Sequence, residues 1–306
     1  MIRQPLPPGR TSAVTAARTL VVAPHFDDEV LGCGGLLCKL AAAGSAVHLL
    51  FLSDGSGGIE EVADRVSYAA RRRAEAEAVG RLLGCEGLVV AGIRDGELAA
   101  ARAEVAAAIR ESLLAVRPTL VLVPSPLEVS DDHRAAFAAL HVVLSAAAGS
   151  GDGPDGLAEV ARRLEVWLYE VNHPGYPDRL VDVSDCRATL ERAMAIYASQ
   201  EERHPYLRAG LGLRQFRTHT LAPEVELAEG YRRLTASDFA AHGLAELVAE
   251  VGGSVPELAL TLRRTYAEIE RLNRLVREME GTRAWRLHRL AERLRGVGER
   301  AGGEPD

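Results

Sequence analysis

Short apolar runs alternate with amphipathic stretches along the first two thirds of the chain. Leu20 to Ala23, Ala46 to Leu52, Gly87 to Ala91 and Leu120 to Val123 each have the length of a buried strand. The first and fourth run into Pro24 and Pro124, which cannot donate to a ladder and so mark strand ends. Val166–Val171 and the shorter Leu180–Val183 read as two further strands. Between them, Leu36–Ala43, Tyr68–Leu83, Arg102–Val116 and Arg134–Ala148 read as helices, with Gly84 as a C-cap and Pro118 as a stop. Strands alternating with helices predict an α/β fold: a Rossmann-like, doubly wound, mostly parallel sheet.

From Glu224 the spacing turns helical, with a Gly252-Gly253 break before Pro256. Leu262, Ile269, Leu272, Val276 and Met279 then form a heptad seam with charged flanks, and Arg283 to Arg295 is basic and amphipathic around Trp285. The expected division is a sheet domain over 1–222 and a helical, short coiled-coil region over 223–306. The seam suggests a homo-oligomer joined through the C-terminal helices; a helix folded onto its own domain is the alternative. The basic Trp-bearing end also suits contact with an anionic membrane surface.

Composition narrows the class. With 306 residues and 47% hydrophobic content the chain can bury a full core. A net charge of -7 argues against a nucleic-acid partner. Cys33, Cys38, Cys85 and Cys186 form no C-x-x-C pair and read as small buried hydrophobes in a reducing compartment. No secretory leader and no run long enough for a membrane span is visible, so a cytoplasmic location is expected.

Candidate chemistry gathers where strands end, the usual place for ligands in open α/β sheets. Directly after Pro24 come His25, Asp27, Asp28 and Glu29, then the run Gly32-Cys33-Gly34-Gly35 before the first helix. That run lacks the G-x-G-x-x-G spacing of a dinucleotide loop, and the carboxylates before it would repel a pyrophosphate. His25 and Asp28 are ordinary zinc ligands, and a catalytic zinc takes three. His133, in Ser130-Asp131-Asp132-His133 after the fourth strand, is the best third ligand. Asp27 is then free to take a proton from an activated water. Each acidic cluster alone could be a solvated helix N-cap; both at strand ends favour a metal site and metal-assisted hydrolysis.

The segment Pro24-His25-Phe26-Asp27-Asp28-Glu29 through Gly35 resembles the signature of the LmbE-like (PIG-L) N-acetylglucosaminyl deacetylase family. That family's pattern is His-Pro-Asp-Asp-Glu before a Gly-rich turn, with His-x-Asp-His as second motif. The likeness spans roughly residues 18 to 220. It implies Zn2+, or another divalent ion such as Fe2+, on His25, Asp28 and His133, with Asp27 as general base. It also implies substrate contacts at Arg72 and Asp95, and an N-acetylated amino sugar as substrate.

Two positions depart from the pattern. Phe26 stands for the family's proline, which is expected to change only backbone stiffness. Ser130 stands for the first histidine of the second motif, the residue expected to support the oxyanion or act as an acid. His173, in Asn172-His173-Pro174-Gly175, could approach from another loop, although an exposed loop histidine is the blander reading. Ser130 and His173 are therefore accessory candidates. A non-catalytic partner of a glycan-modifying complex, or a hydrolase of a non-sugar amide, are the competing functions.

Overall fold

The apolar runs of the first half become four adjacent strands on one side of a single sheet, with the Gly87 run at its edge. The computed structural model describes residues 9–57, 62–149 and 156–252, together with 271 and 274. The chain divides into two compact units, Met1–Pro256 and Glu257–Asp306. In the second, residues 271 and 274 are helical; the heptad seam and the basic piece around Trp285 lie outside the described residues.

Among the described residues eight strands make the sheet: β1 (Gly9–Thr11), β2 (Arg18–Ala23), β3 (Ala46–Ser53), β4 (Gly87–Ile93), β5 (Leu120–Pro124), β6 (Glu165–Tyr169), β7 (Arg179–Asp182) and β8 (Ala228–Thr235). Their spatial order is β1-β7-β8-β6-β5-β2-β3-β4. All neighbours are parallel except β8, which runs antiparallel between β6 and β7. The longer helices are α1 (Asp28–Ala42), α2 (Val62–Leu82), α3 (Arg102–Val116) and α4 (Asp131–Gly149). Shorter ones follow: α5 (Leu157–Arg162), α6 (Arg187–Ile196), α7 (Ala198–Glu201), α8 (Tyr206–Phe216), α9 (Ala236–Ala241) and α10 (Leu244–Gly252). Val21 and Ala23 of β2 share a core with Leu36, Leu37 and Leu40 of α1, whereas α3 packs on the other face of β2 and β3 with α4 beside it. Apolar side chains on both faces explain why these strands read as continuous runs rather than as alternation. Among the described residues no helix is long and apolar enough to cross a membrane.

Several expected boundaries move. The sheet continues past residue 222, because the stretch expected to be helical from Glu224 contains β8. Its Ala-Glu-Gly-Tyr-Arg-Arg-Leu-Thr sequence hides the strand, since the buried Glu229 is a charge. Likewise, the Gly32–Gly35 run is no loop: α1 starts at Asp28 and contains it. A Cβ at Gly32 would overlap the Tyr169 ring, and one at Gly35 would lie 2.6 Å from Val183. The glycines therefore serve close approach of α1 to β6 and to the chain after β7.

Helix α1 breaks at Cys33 (φ -144°, ψ 15°). Glu229 fills the break, accepting from the N–H groups of Gly35 and Leu36 at 2.8 Å each. Arg214 of α8 donates to the Val30 carbonyl at 2.7 Å and pairs with Glu229 at 2.6 Å. One buried ion pair thus satisfies the backbone groups that the broken helix leaves without intrahelical partners.

Candidate active site

β2 is the point where the winding reverses: α1 leads to β3 on one side, and β5 lies on the other, paired from Thr19↔Leu120 to Val21↔Leu122. The loops leaving these two adjacent parallel strands open at the same end of the sheet, which is where such folds bind ligands. The first carries His25 and Asp27 and leads into Asp28 at the start of α1; the second carries Glu128 and Ser130 and leads into Asp132 and His133 in the first turn of α4.

The structure brings His25, Asp28 and His133 together, with candidate ligand atoms all within 4.8 Å of one another. Asp28 Oδ2 lies 3.2 Å from His25 Nδ1 and 3.2 Å from His133 Nε2. Ligands about 2.0 Å from one tetrahedral metal stand about 3.3 Å apart, so these spacings fit a divalent cation. The outward nitrogens fit as well. His25 Nε2 lies 3.1 Å from Asp132 Oδ2, and His133 Nδ1, buried without an aligned hydrogen bond, lies 3.4 Å from Glu128 Oε2. Imidazoles that bind metal commonly have a carboxylate behind them.

A second group, His25 with Asp95 and Asp132, also lies close enough. Its oxygens are already committed. Asp132 accepts from Gly96 N at 2.8 Å and Leu98 N at 3.1 Å, and Asp95 pairs with Arg72 at 3.0 Å. The first group is the better cation site.

Electrostatics point the same way. Burial opposes the charged form of Asp28, but His133 and His25 hold its carboxyl well below the usual range. Burial likewise opposes charge on the imidazoles, yet Asp132 and Asp28 lift His25 well above its ordinary value, and Asp28 and Glu128 lift His133 to about 9. The site therefore draws in positive charge, which a divalent cation would supply in place of the two imidazole protons. Asp27 behaves oppositely: burial, reinforced by Asp28, pushes it up to about 7 against the pull of Arg72 and the imidazoles. A buried carboxyl titrating near neutrality beside a cation site has the properties of a general base.

Arg72 is buried and largely committed, donating to Gly55 O (3.1 Å), Asp95 Oδ2 (3.0 Å) and Phe26 O (2.9 Å). Its neighbours Arg71 and Arg73 pair with Glu75 and Glu77, as their spacing predicts. Asp95 is partly exposed, 3.4 Å from His25 Nε2. Phe26 does more than alter stiffness, because its ring is fully buried 4.8 Å from that of Phe51. His173 is half-buried rather than exposed, its Nδ1 is buried without a hydrogen-bond partner, and its N–H lies 3.4 Å from Glu128 Oε1. Ser130 is half-buried at the start of α4.

Sequence reasoning passed over Glu128 and gave Asp132 no role. Glu128 is fully buried and also accepts from Val171 N at 2.7 Å. For Asp132 the signal was present, in the second motif itself. For Glu128, five positions before His133, there was none.

A doubly wound sheet with these two motif turns facing each other at its switch point places the chain among the α/β folds that bind their ligands beyond the strand ends. Residues 20–144 match the PIG-L family, GlcNAc-PI de-N-acetylase, and the chain belongs to that LmbE-like family. Diacetylchitobiose deacetylase from Thermococcus kodakarensis is 32% identical over 205 residues, covering 62% of this chain and 75% of that protein. N,N'-diacetylchitobiose deacetylase from Pyrococcus horikoshii, solved with its inhibitor MPG, superposes with a TM-score of 0.60 at 26% identity, covering 76% of this chain and 89% of that one. The conserved protein TT1542 from Thermus thermophilus superposes with a TM-score of 0.57 at 30% identity, covering 70% and 93%. The Thermococcus and Pyrococcus proteins are both deacetylases by name, and this chain is an enzyme of their family.

Proposed function

We propose that this protein is a metal-dependent deacetylase that hydrolyses the N-acetyl group of an N-acetylglucosamine-type amino sugar, free or carried on a nucleotide, lipid or natural-product scaffold. The observation that carries the reading is the approach of His25 Nδ1 and His133 Nε2 to one oxygen of Asp28 at 3.2 Å each, beside the buried carboxyl of Asp27. The diacetylchitobiose deacetylases among its relatives support the substrate class. Zn2+ suits two imidazoles and a carboxylate, with Fe2+ as the alternative.

His25, Asp28 and His133 would hold the ion. Bound there, it supplies Lewis-acid polarisation of the acetyl carbonyl and acidification of water. Asp27 accepts the proton of the water that adds to the acetyl carbon. It then returns that proton to the amine nitrogen as the C–N bond breaks, releasing acetate and the free amine. Asp132 and Glu128 orient the two imidazoles from behind. Asp95, held by Arg72, offers a partly exposed carboxylate to substrate hydroxyls. His173, on the loop whose backbone N–H groups donate to the Glu128 carboxylate, is the accessory candidate for the role of the histidine that Ser130 replaces.

The test is acetate release by zinc-loaded protein from free, nucleotide-linked and lipid-linked N-acetylglucosamine. Release that stops on chelation and returns with Zn2+ is the expected result. Full metal occupancy with no release from any acetamide would overturn it in favour of a non-catalytic partner. Hydrolysis confined to non-sugar amides would redirect the substrate class.

A further inference from the structure

Asp27 has φ 121° and ψ -23°, and Arg117 is the only other non-glycine residue with positive φ among the described residues. L-residues rarely adopt this conformation, which persists only where the surroundings over-determine it. Here both ends of the Phe26–Asp27 peptide are gripped. Arg72 Nη2 donates to the Phe26 carbonyl at 2.9 Å, and the Asp27 N–H donates to Glu29 Oε2 at 3.1 Å. The Asp27 carbonyl accepts from Val30 N at 3.0 Å and Leu31 N at 2.9 Å. The other oxygen of Glu29 is held in turn by the Tyr197 hydroxyl at 2.5 Å, from the end of α6. Glu29 and Tyr197 are fully buried, so no water competes for these bonds.

We infer that Glu29 and Tyr197 are positioning residues. They lock the Phe26–Asp27 peptide so that Asp27 leaves the backbone in its strained conformation, aimed at the cation site. The inference rests on the proposed role of Asp27 as base, but the clamp itself is a statement about geometry. Placing a third acid beside Asp27 and Asp28 brings carboxylates together in a dry site, an arrangement that core packing alone would not favour. Its two acceptor oxygens serve one backbone N–H and one hydroxyl, a division that an apolar residue cannot reproduce. Arg72, on the opposite end of the same peptide, completes the lock.

The test uses the full chain with Glu29→Met, which removes both acceptor oxygens at similar side-chain length, and Tyr197→Phe, each alone and combined with Asp27→Asn. The first readout is independent of turnover: the backbone amide resonance of Asp27. It should lie downfield in the wild type and move upfield in Glu29→Met, with bound metal per chain unchanged. An unmoved Asp27 amide would overturn the clamp even if the protein releases no acetate, an outcome that would instead sink the deacetylase reading. The second readout is kinetic. Glu29→Met should lower kcat about 10- to 100-fold with KM nearly unchanged, and Tyr197→Phe about 3- to 10-fold. In the Asp27→Asn background, Glu29→Met should leave the residual rate unchanged. An equal proportional loss there would mean that Glu29 acts through general structure rather than through Asp27. If Glu29→Met does not fold, Tyr197→Phe, which removes one hydroxyl, carries both readouts by itself.

Discussion

Asp132 Oδ2 stands 3.1 Å from His25 Nε2, the ring nitrogen opposite the one that faces Asp28. The N–H groups of Gly96 and Leu98 fix that carboxylate from the loop after β4. A third strand end thus sets the orientation of the His25 ring carried by the first. Asp132→Ala should weaken metal binding about 10- to 100-fold. Competition against a chromogenic chelator would measure this, and an unchanged Kd would remove Asp132 from the support of His25.

Asp27→Asn keeps His25, Asp28 and His133, the proposed ligands. It should bind one equivalent of metal yet lose at least about a hundredfold in kcat. Metal content by elemental analysis and acetate release on the same sample decide the point; near-normal turnover would exclude Asp27 as the base.

The raised Asp27 value has a sign that stability measurements can read. In chelated protein its folded value is about 7 against an ordinary 3.8. Its stabilising contribution is therefore complete below about pH 4 and is lost as pH rises through 7. Relative to Asp27→Asn, the chelated wild type should become less stable between about pH 4 and 8, by on the order of a few kcal/mol. Urea melts of both proteins across that range provide the check, and parallel curves would contradict it.

Arg214 is the cationic half of the pair that stitches α1 across its break. Arg214→Met leaves Glu229 buried without its cation and Val30 O without its donor. The expected loss is about 3–5 kcal/mol in guanidinium melts. A cost below about 1 kcal/mol would show that the break holds without the pair.

Gly32→Ala should also destabilise, by about 1–3 kcal/mol, because the added methyl overlaps the Tyr169 ring. That ring is anchored by its hydroxyl donating to Val22 O at 3.0 Å and cannot simply swing away. A variant as stable as the wild type would show that α1 can retreat from β6.

The sequence by itself determined the strands that carry the site. β2, β3 and β5 are buried on both faces, and burial on both faces writes a continuous apolar run into the chain. It also determined the close pairing of His25 with Asp28, because a three-residue step around a strand-ending turn is a local matter. Which turns meet is another kind of fact. His133 reaches Asp28 because β5 lies beside β2, and strand order leaves no mark on local periodicity. The same holds for buried polar groups whose partners lie far along the chain. Glu229 finds Arg214 and two α1 amides, Glu29 finds Tyr197, and Glu128 finds the loop after β6. In sequence each is a charge that reads as solvated. Only the tertiary structure supplies the donors that offset its burial, and so only the tertiary structure reveals β8, the break in α1 and the grip on Asp27.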